Sequence, residues 1–97
     1  MMQSFKTAGT EDLFNGRRTK AARSACPQSL WKIAARKFDQ LDSVTALQEL
    51  SIPPGNRLEA LAGDRQGQHS MRINDQYRIC FRWTDMGPAD VEIVDYH

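Results

Sequence analysis

The stretch Gln68-His69-Ser70-Met71-Arg72-Ile73-Asn74-Asp75-Gln76-Tyr77-Arg78-Ile79-Cys80-Phe81-Arg82-Trp83 decides the fold. It reads as two strands around a polar turn, because side chains alternate between the faces of a strand. Met71 and Ile73 must share a face, as must Tyr77, Ile79, Phe81 and Trp83. A two-residue loop at Asn74-Asp75 would pair Ile73 with Gln76 and Met71 with Arg78, mixing the faces. A three-residue loop pairs Ile73 with Tyr77 and Met71 with Ile79, which makes one face uniformly apolar. That register is the expectation. It places His69 at the edge of the apolar face.

The same register sets Arg72 opposite Arg78 on the other face, with Arg82 four residues further along the strand. Like charges directly opposed across a strand pair are destabilising. Either an external anion neutralises them, such as a phosphate or a partner's carboxylates, or Glu59, Glu92 or Asp95 on neighbouring strands does. Spacing alone leaves both readings open.

Working outward, residues 56–61 and 91–96 read as further strands, with a turn at Gly63-Asp64 and a loop at Asp85-Met86-Gly87-Pro88. Residues 2–6 read as a short edge strand. Residues 27–42 carry the strongest helical pattern: Leu30, Ile33, Ala34, Phe38 and Leu41 fall on one stripe, and Pro27 suits the first helical position. Trp31 borders that stripe. Thr10 is the expected cap of a brief helix through Phe14, ended by Gly16. The spacing from Thr45 to Gln48 suits a capping box, with a turn continuing through Leu50. Pro53-Pro54-Gly55 is expected to end all helix. Between these elements Arg17, Arg18, Lys20 and Arg23 show no apolar periodicity and read as a basic linker, either solvated or in contact with an acidic partner or phosphate backbone.

Ninety-seven residues make a single domain over 1–97 with a modest core. The net charge of +1 does not point to nucleic acid. It conceals eight basic and four acidic residues before position 45, against five and eight after it. Cys26 and Cys80 lack metal-ligand or paired spacing and read as small buried hydrophobes in a reducing compartment. No metal or cofactor is expected. No apolar run is long enough for a signal peptide or membrane span, so the expectation is a cytoplasmic protein without membrane contact.

Several segments taken together resemble a known family. They are Arg57-Leu58-Glu59-Ala60-Leu61-Ala62-Gly63-Asp64, Gly67-Gln68-His69-Ser70-Met71-Arg72-Ile73-Asn74, Tyr77-Arg78-Ile79-Cys80-Phe81 and the closing Val94-Asp95-Tyr96-His97. With the opening Ser4-Phe5-Lys6, they look like the HigB toxins of the RelE/ParE superfamily. The resemblance implies a compact α/β (α+β) fold of the RelE type, with a small antiparallel-rich sheet and helices on one face. It implies a ribosome-dependent endoribonuclease that cuts messenger RNA during translation. It also implies a HigA-like helix-turn-helix antitoxin, through which the pair reaches operator DNA. The family's C-terminal aspartate, tyrosine and histidine fall on Asp95, Tyr96 and His97, and its arginine falls on Arg78. Some members have histidine where this chain has Glu59, and lysine where it has Ala62. That lysine would be a phosphate-binding charge.

Metal-independent RNA cleavage uses the substrate's own 2′-hydroxyl as nucleophile. The site must take its proton, stabilise the phosphorane and protonate the leaving 5′-oxygen. On this reading Arg78 clamps the phosphate, with Arg72 and Arg82 as further RNA contacts. Glu59 is a candidate base, His97 a candidate acid or base, Tyr96 a phosphate or nucleobase contact, and Asp95 an orienting group for His97. Strict alternation puts Asp95 and His97 on the side of Val91 and Ile93, and Tyr96 on the side of Val94. Arg17, Arg18, Lys20 and Arg23 become the antitoxin-binding candidates. Two alternatives stand beside this reading. One is a non-enzymatic ParE-like gyrase-binding toxin, which needs no terminal histidine. The other is an antitoxin-binding co-repressor with weak or lost catalysis.

Overall fold

The computed structural model of the chain describes residues 1–95, so Tyr96 and His97 lie outside the described residues. Strands β1 (Glu59–Ala60), β2 (His69–Arg72), β3 (Tyr77–Thr84) and β4 (Gly87–Asp95) form one antiparallel sheet in sequential order. Met71 pairs with Ile79 and Arg72 with Arg78, as the face argument requires. The turn is built by Asn74, whose Oδ1 accepts from the backbone N–H groups of Gln76 (2.9 Å) and Tyr77 (2.7 Å). An asparagine side chain thus stands in for the missing backbone partners of a tight loop.

β3 and β4 stay in register to Cys80–Glu92 and resume at Arg82–Ala89, so Asp90 and Val91 together oppose Phe81. This bulge carries Asp90 at φ 52°. It bends β4 at the point where the N-terminal segment joins it. The edge strand expected at 2–6 contracts to one parallel bridge, Phe5–Val91, flanked by bonds from Gln3 N–H to Pro88 O and from Lys6 N–H to Val91 O.

Three α-helices cover the apolar face: α1 (Ala8–Phe14), α2 (Lys20–Ala25) and α3 (Trp31–Ser43). The cap of α1 is Thr7, not Thr10. Thr10 is buried inside the helix, and its hydroxyl accepts from the Ile93 N–H at 3.1 Å, tying α1 to β4. The basic stretch expected as a linker contains α2. Thr19 caps it through Ala22 N–H and donates to Asp12 Oδ2 at 2.6 Å. Ala21 lies so close to α1 that a Cβ on Gly9 would meet its carbonyl oxygen at 2.3 Å. The small residues between the charges let α2 pack closely against α1.

On α3, Ala34, Phe38 and Leu41 are buried as expected, while Ile33 at the stripe's margin is 37% exposed. Pro27 precedes a 3₁₀ turn (Gln28–Leu30) rather than opening the α-helix. After α3 the expected capping residue shifts by one: Glu49, not Gln48, accepts from Thr45 Oγ1 (3.0 Å) and Ala46 N–H (3.1 Å). The proline pair does not end all helix, since Pro54–Asn56 forms another 3₁₀ turn. The strand expected over 56–61 shortens to two residues, because Asn56 is drawn into the interior and Arg57 turns left-handed. Phe38, Leu41, Leu50, Met71, Ile79, Phe81 and Val91 fill the space between helices and sheet.

Candidate functional site

The sheet's second face starts from a buried floor. Ser70 and Cys80 face each other across β2 and β3, and both are fully buried. Burial pushes the Cys80 thiol pKa up, and that of Cys26 rises to about 11. Both cysteines are therefore protonated hydrophobes rather than nucleophiles, as their spacing suggested.

Arg78 lies across this floor with its side chain only 12% exposed. Its Nε donates to Ser70 Oγ at 2.8 Å and its Nη2 to the Arg57 carbonyl at 2.6 Å, and Glu59 Oε1 lies 3.8 Å away. Glu59 pairs with Ser70 across β1–β2, which places it on this face. Arg72 pairs with Asp75, Arg65 with Glu92 at 3.1 Å, and Arg82 with Asp90 at 2.8 Å. The opposed arginines are thus compensated within the chain, and no external anion is needed to explain them. Glu59 does this for Arg78. Glu92 serves Arg65 instead of the opposed arginines.

Asp95 is on the other side of the sheet. It pairs with Tyr77, whereas Arg78 pairs with Val94 one rung away. Its carboxylate accepts from Gln76 Nε2 at 3.2 Å. With Tyr77, Ile93 and small residues of α1 and α2, it lines a cavity of about 500 Å³. Glu59, Arg72 and Arg78 therefore share one face, while Asp95 marks the end of β4 on the helix side. The Tyr96 and His97 assignments fall outside the described residues.

Of the four basic residues singled out before α3, Arg17 and Arg18 line a cleft of about 530 Å³ together with Leu13, Trp31 and Lys32. Arg17 also pairs with Asp12 at 3.4 Å. Lys20 and Arg23 are exposed on α2, outside the cleft lining. His69 stacks on Phe81 at the edge of the apolar face, as its parity implied. Among the described residues no group of three or more His, Cys, Asp or Glu is arranged to hold a metal, and no helix is long and apolar enough to cross a membrane.

Sequence reasoning missed Ser70 and Arg57. Ser70 has the parity of Arg72, so the register could have placed it beneath Arg78. Arg57 contributes through its backbone carbonyl, which no side-chain pattern signals.

Residues 3–97 match the family described as the RelE-like toxin of the type II toxin–antitoxin system HigB. The chain belongs to this family. Toxin HigB-1 of Vibrio cholerae is 46% identical over 71 residues, covering 73% of this chain and 74% of that protein. An uncharacterised protein of Haemophilus influenzae is 35% identical over 60 residues, covering 62% of this chain and 59% of that one. Among solved structures, a chain of the YoeB–YefM complex from Staphylococcus aureus superposes with a TM-score of 0.54 at 14% identity, over 100% of this chain and 98% of that one. The likeness shows a shared RelE-like fold. The HigB resemblance and the α/β architecture expected from the sequence are both borne out. As a HigB-family toxin of a type II system, the protein has an antitoxin as its partner class.

Proposed function

We propose that this HigB-family toxin is an endoribonuclease that cuts messenger RNA on the translating ribosome, in the cytoplasm and as a single domain. One observation carries the reading: the family's arginine, Arg78, is fixed by Ser70 and the Arg57 carbonyl, with the Glu59 carboxylate 3.8 Å from its guanidinium. A guanidinium already oriented by the protein pays little reorganisation when it meets a phosphorane.

In this mechanism Arg78 stabilises charge on the scissile phosphate, and Arg72 and Arg82 hold the flanking backbone. Glu59 takes the proton of the 2′-hydroxyl, exchanging its contact with Arg78 for the substrate. His97 protonates the 5′-oxygen and Tyr96 contacts the phosphate or stacks on a base, while Asp95, which faces the helix side rather than Arg78, orients His97 around the end of β4. No metal enters this scheme. A HigA-like helix-turn-helix antitoxin would neutralise the toxin and carry it to operator DNA. The cleft edged by Arg17 and Arg18 is its proposed seat, with Lys20 and Arg23 contributing charge from α2.

The test is cleavage of a defined message by the purified chain with and without translating ribosomes. The expected result is ribosome-dependent cutting that leaves 2′,3′-cyclic phosphate ends, the product of internal 2′-hydroxyl attack. Intact message together with gyrase-dependent double-strand DNA breaks would move the assignment to a gyrase-binding toxin.

A further inference from the structure

Asn56 is a fully buried amide in a small protein, and its bonds determine its orientation. Its Nδ2 donates to the Leu50 carbonyl at 3.0 Å and to Gln40 Oε1 at 2.8 Å, while its Oδ1 accepts from Lys37 Nζ. The Leu50 carbonyl can only accept and the Lys37 ammonium can only donate, so the amide cannot be turned over. Burial and the nearby charge of Arg72 hold the Lys37 pKa below its usual range. Burying such a group without partners would be costly, and every bond drawn here connects α3 and Leu50 to one turn.

That turn is the 3₁₀ segment Pro54–Asn56, and Arg57 leaves it at φ 43° and ψ 56°. A non-glycine residue in the left-handed region is strained and persists only where its surroundings hold it. The strained residue is the one whose carbonyl accepts Arg78 Nη2 at 2.6 Å. A chain of contacts therefore runs from α3 through Asn56 and Arg57 to the guanidinium.

We propose that Asn56 is a positioning residue for Arg78: by anchoring the left-handed turn at Arg57, it sets the carbonyl that aims the guanidinium across the sheet. The inference rests on Arg78 being the phosphate contact. Misplacement of a reacting group by about 1 Å can cost on the order of 10²-fold in rate. A loosened but intact Arg78 should therefore lose roughly 10-fold, less than its removal.

The test combines Asn56→Ala, Arg78→Ala and the double variant with ¹⁵N NMR of the Arg78 Nε–H. Gln40→Ala serves as a milder second variant, because it loosens the same amide without emptying a buried site. In the wild type the Nε–H should exchange slowly with solvent. In Asn56→Ala and Gln40→Ala the exchange should quicken, and cleavage should fall mainly in kcat. The double variant should cleave no more slowly than Arg78→Ala alone. An unchanged Nε–H signal in both single variants would overturn the proposal. So would an Asn56 effect that persists undiminished without Arg78, since the residue would then act on general stability. If the wild type itself cuts no RNA, the ribonuclease reading falls, while the NMR measurement still decides whether Asn56 positions Arg78.

Discussion

The two faces of the β2–β3–β4 sheet are made by the same strands and do opposite things. Toward the helices, Met71, Ile79, Phe81 and Val91 are buried in apolar contact. On the far side, Ser70 and Cys80 form a narrow floor beneath a layer of arginine–carboxylate contacts. The first face stabilises by excluding water, in rough proportion to the area it hides. The second has little apolar area to hide. It holds charges in fixed places, and its outermost pair, Arg82–Asp90, is exposed enough to add little to stability. A small chain can separate holding itself together from presenting a charged surface simply by alternating residue types along a hairpin.

This contrast predicts unequal costs. Phe81→Ala, on the dry face, should be the most damaging to stability, at about 4 kcal/mol from lost burial and the cavity left behind. Chemical denaturation would measure it, and a loss under 1 kcal/mol would mean that the core is not organised around β3. An intermediate effect comes from pH. The Cys26 thiol titrates at about 11 in the fold, against about 8.5 when unfolded. Between those values the folded state binds the extra proton, so stability is full below about pH 8.5 and declines as pH rises toward 11. Melting temperature followed from pH 8 to 11 should decline more steeply in the wild type than in a Cys26→Ala control, which keeps the contribution of the raised Cys80 thiol. The smallest effect belongs to the charged face. The Arg82–Asp90 pair is about half exposed on both sides, so solvent screening leaves Arg82→Ala costing about 0.5 kcal/mol or less. A larger loss by thermal melting would show that the outer pairs are structural after all.

How far these features could be read in advance follows the same division. The hairpin register was legible because a one-residue slip would bury Arg78 or Arg72, so the apolar pattern admitted one solution. α3 was legible from its stripe. α2 was not, because a six-residue helix of alanines among basic residues has no apolar periodicity and depends on close contact with Gly9. Thr7 and Thr10 were indistinguishable as caps, since the choice depends on the Ile93 N–H reaching Thr10. At the candidate site, Arg72 and Arg78 could be assigned to one face by alternation, whereas the face of Glu59 depends on its pairing with Ser70 across β1 and β2. Arg57 and Asn56 could not be assigned, because their contributions come from a backbone carbonyl and a buried amide with partners 6 to 21 residues away.

The most direct test of the central claim is ribosome-dependent message cleavage by Arg78→Ala, with thermal melting of the same sample. Removing Arg78 leaves the buried Ser70 hydroxyl without the bond it now accepts from Nε. A stability loss of about 1–2 kcal/mol is therefore expected, even though the substitution relieves repulsion from Arg72. That corresponds to a melting shift of roughly 4–16 °C, at about 4–8 °C per kcal/mol for a chain of this size. At a temperature where the variant remains folded, cleavage should fall about 10²-fold, as expected for loss of a transition-state charge contact of roughly 3 kcal/mol. Cleavage at the wild-type rate by the folded variant would contradict the account, as would a loss no greater than its unfolded fraction.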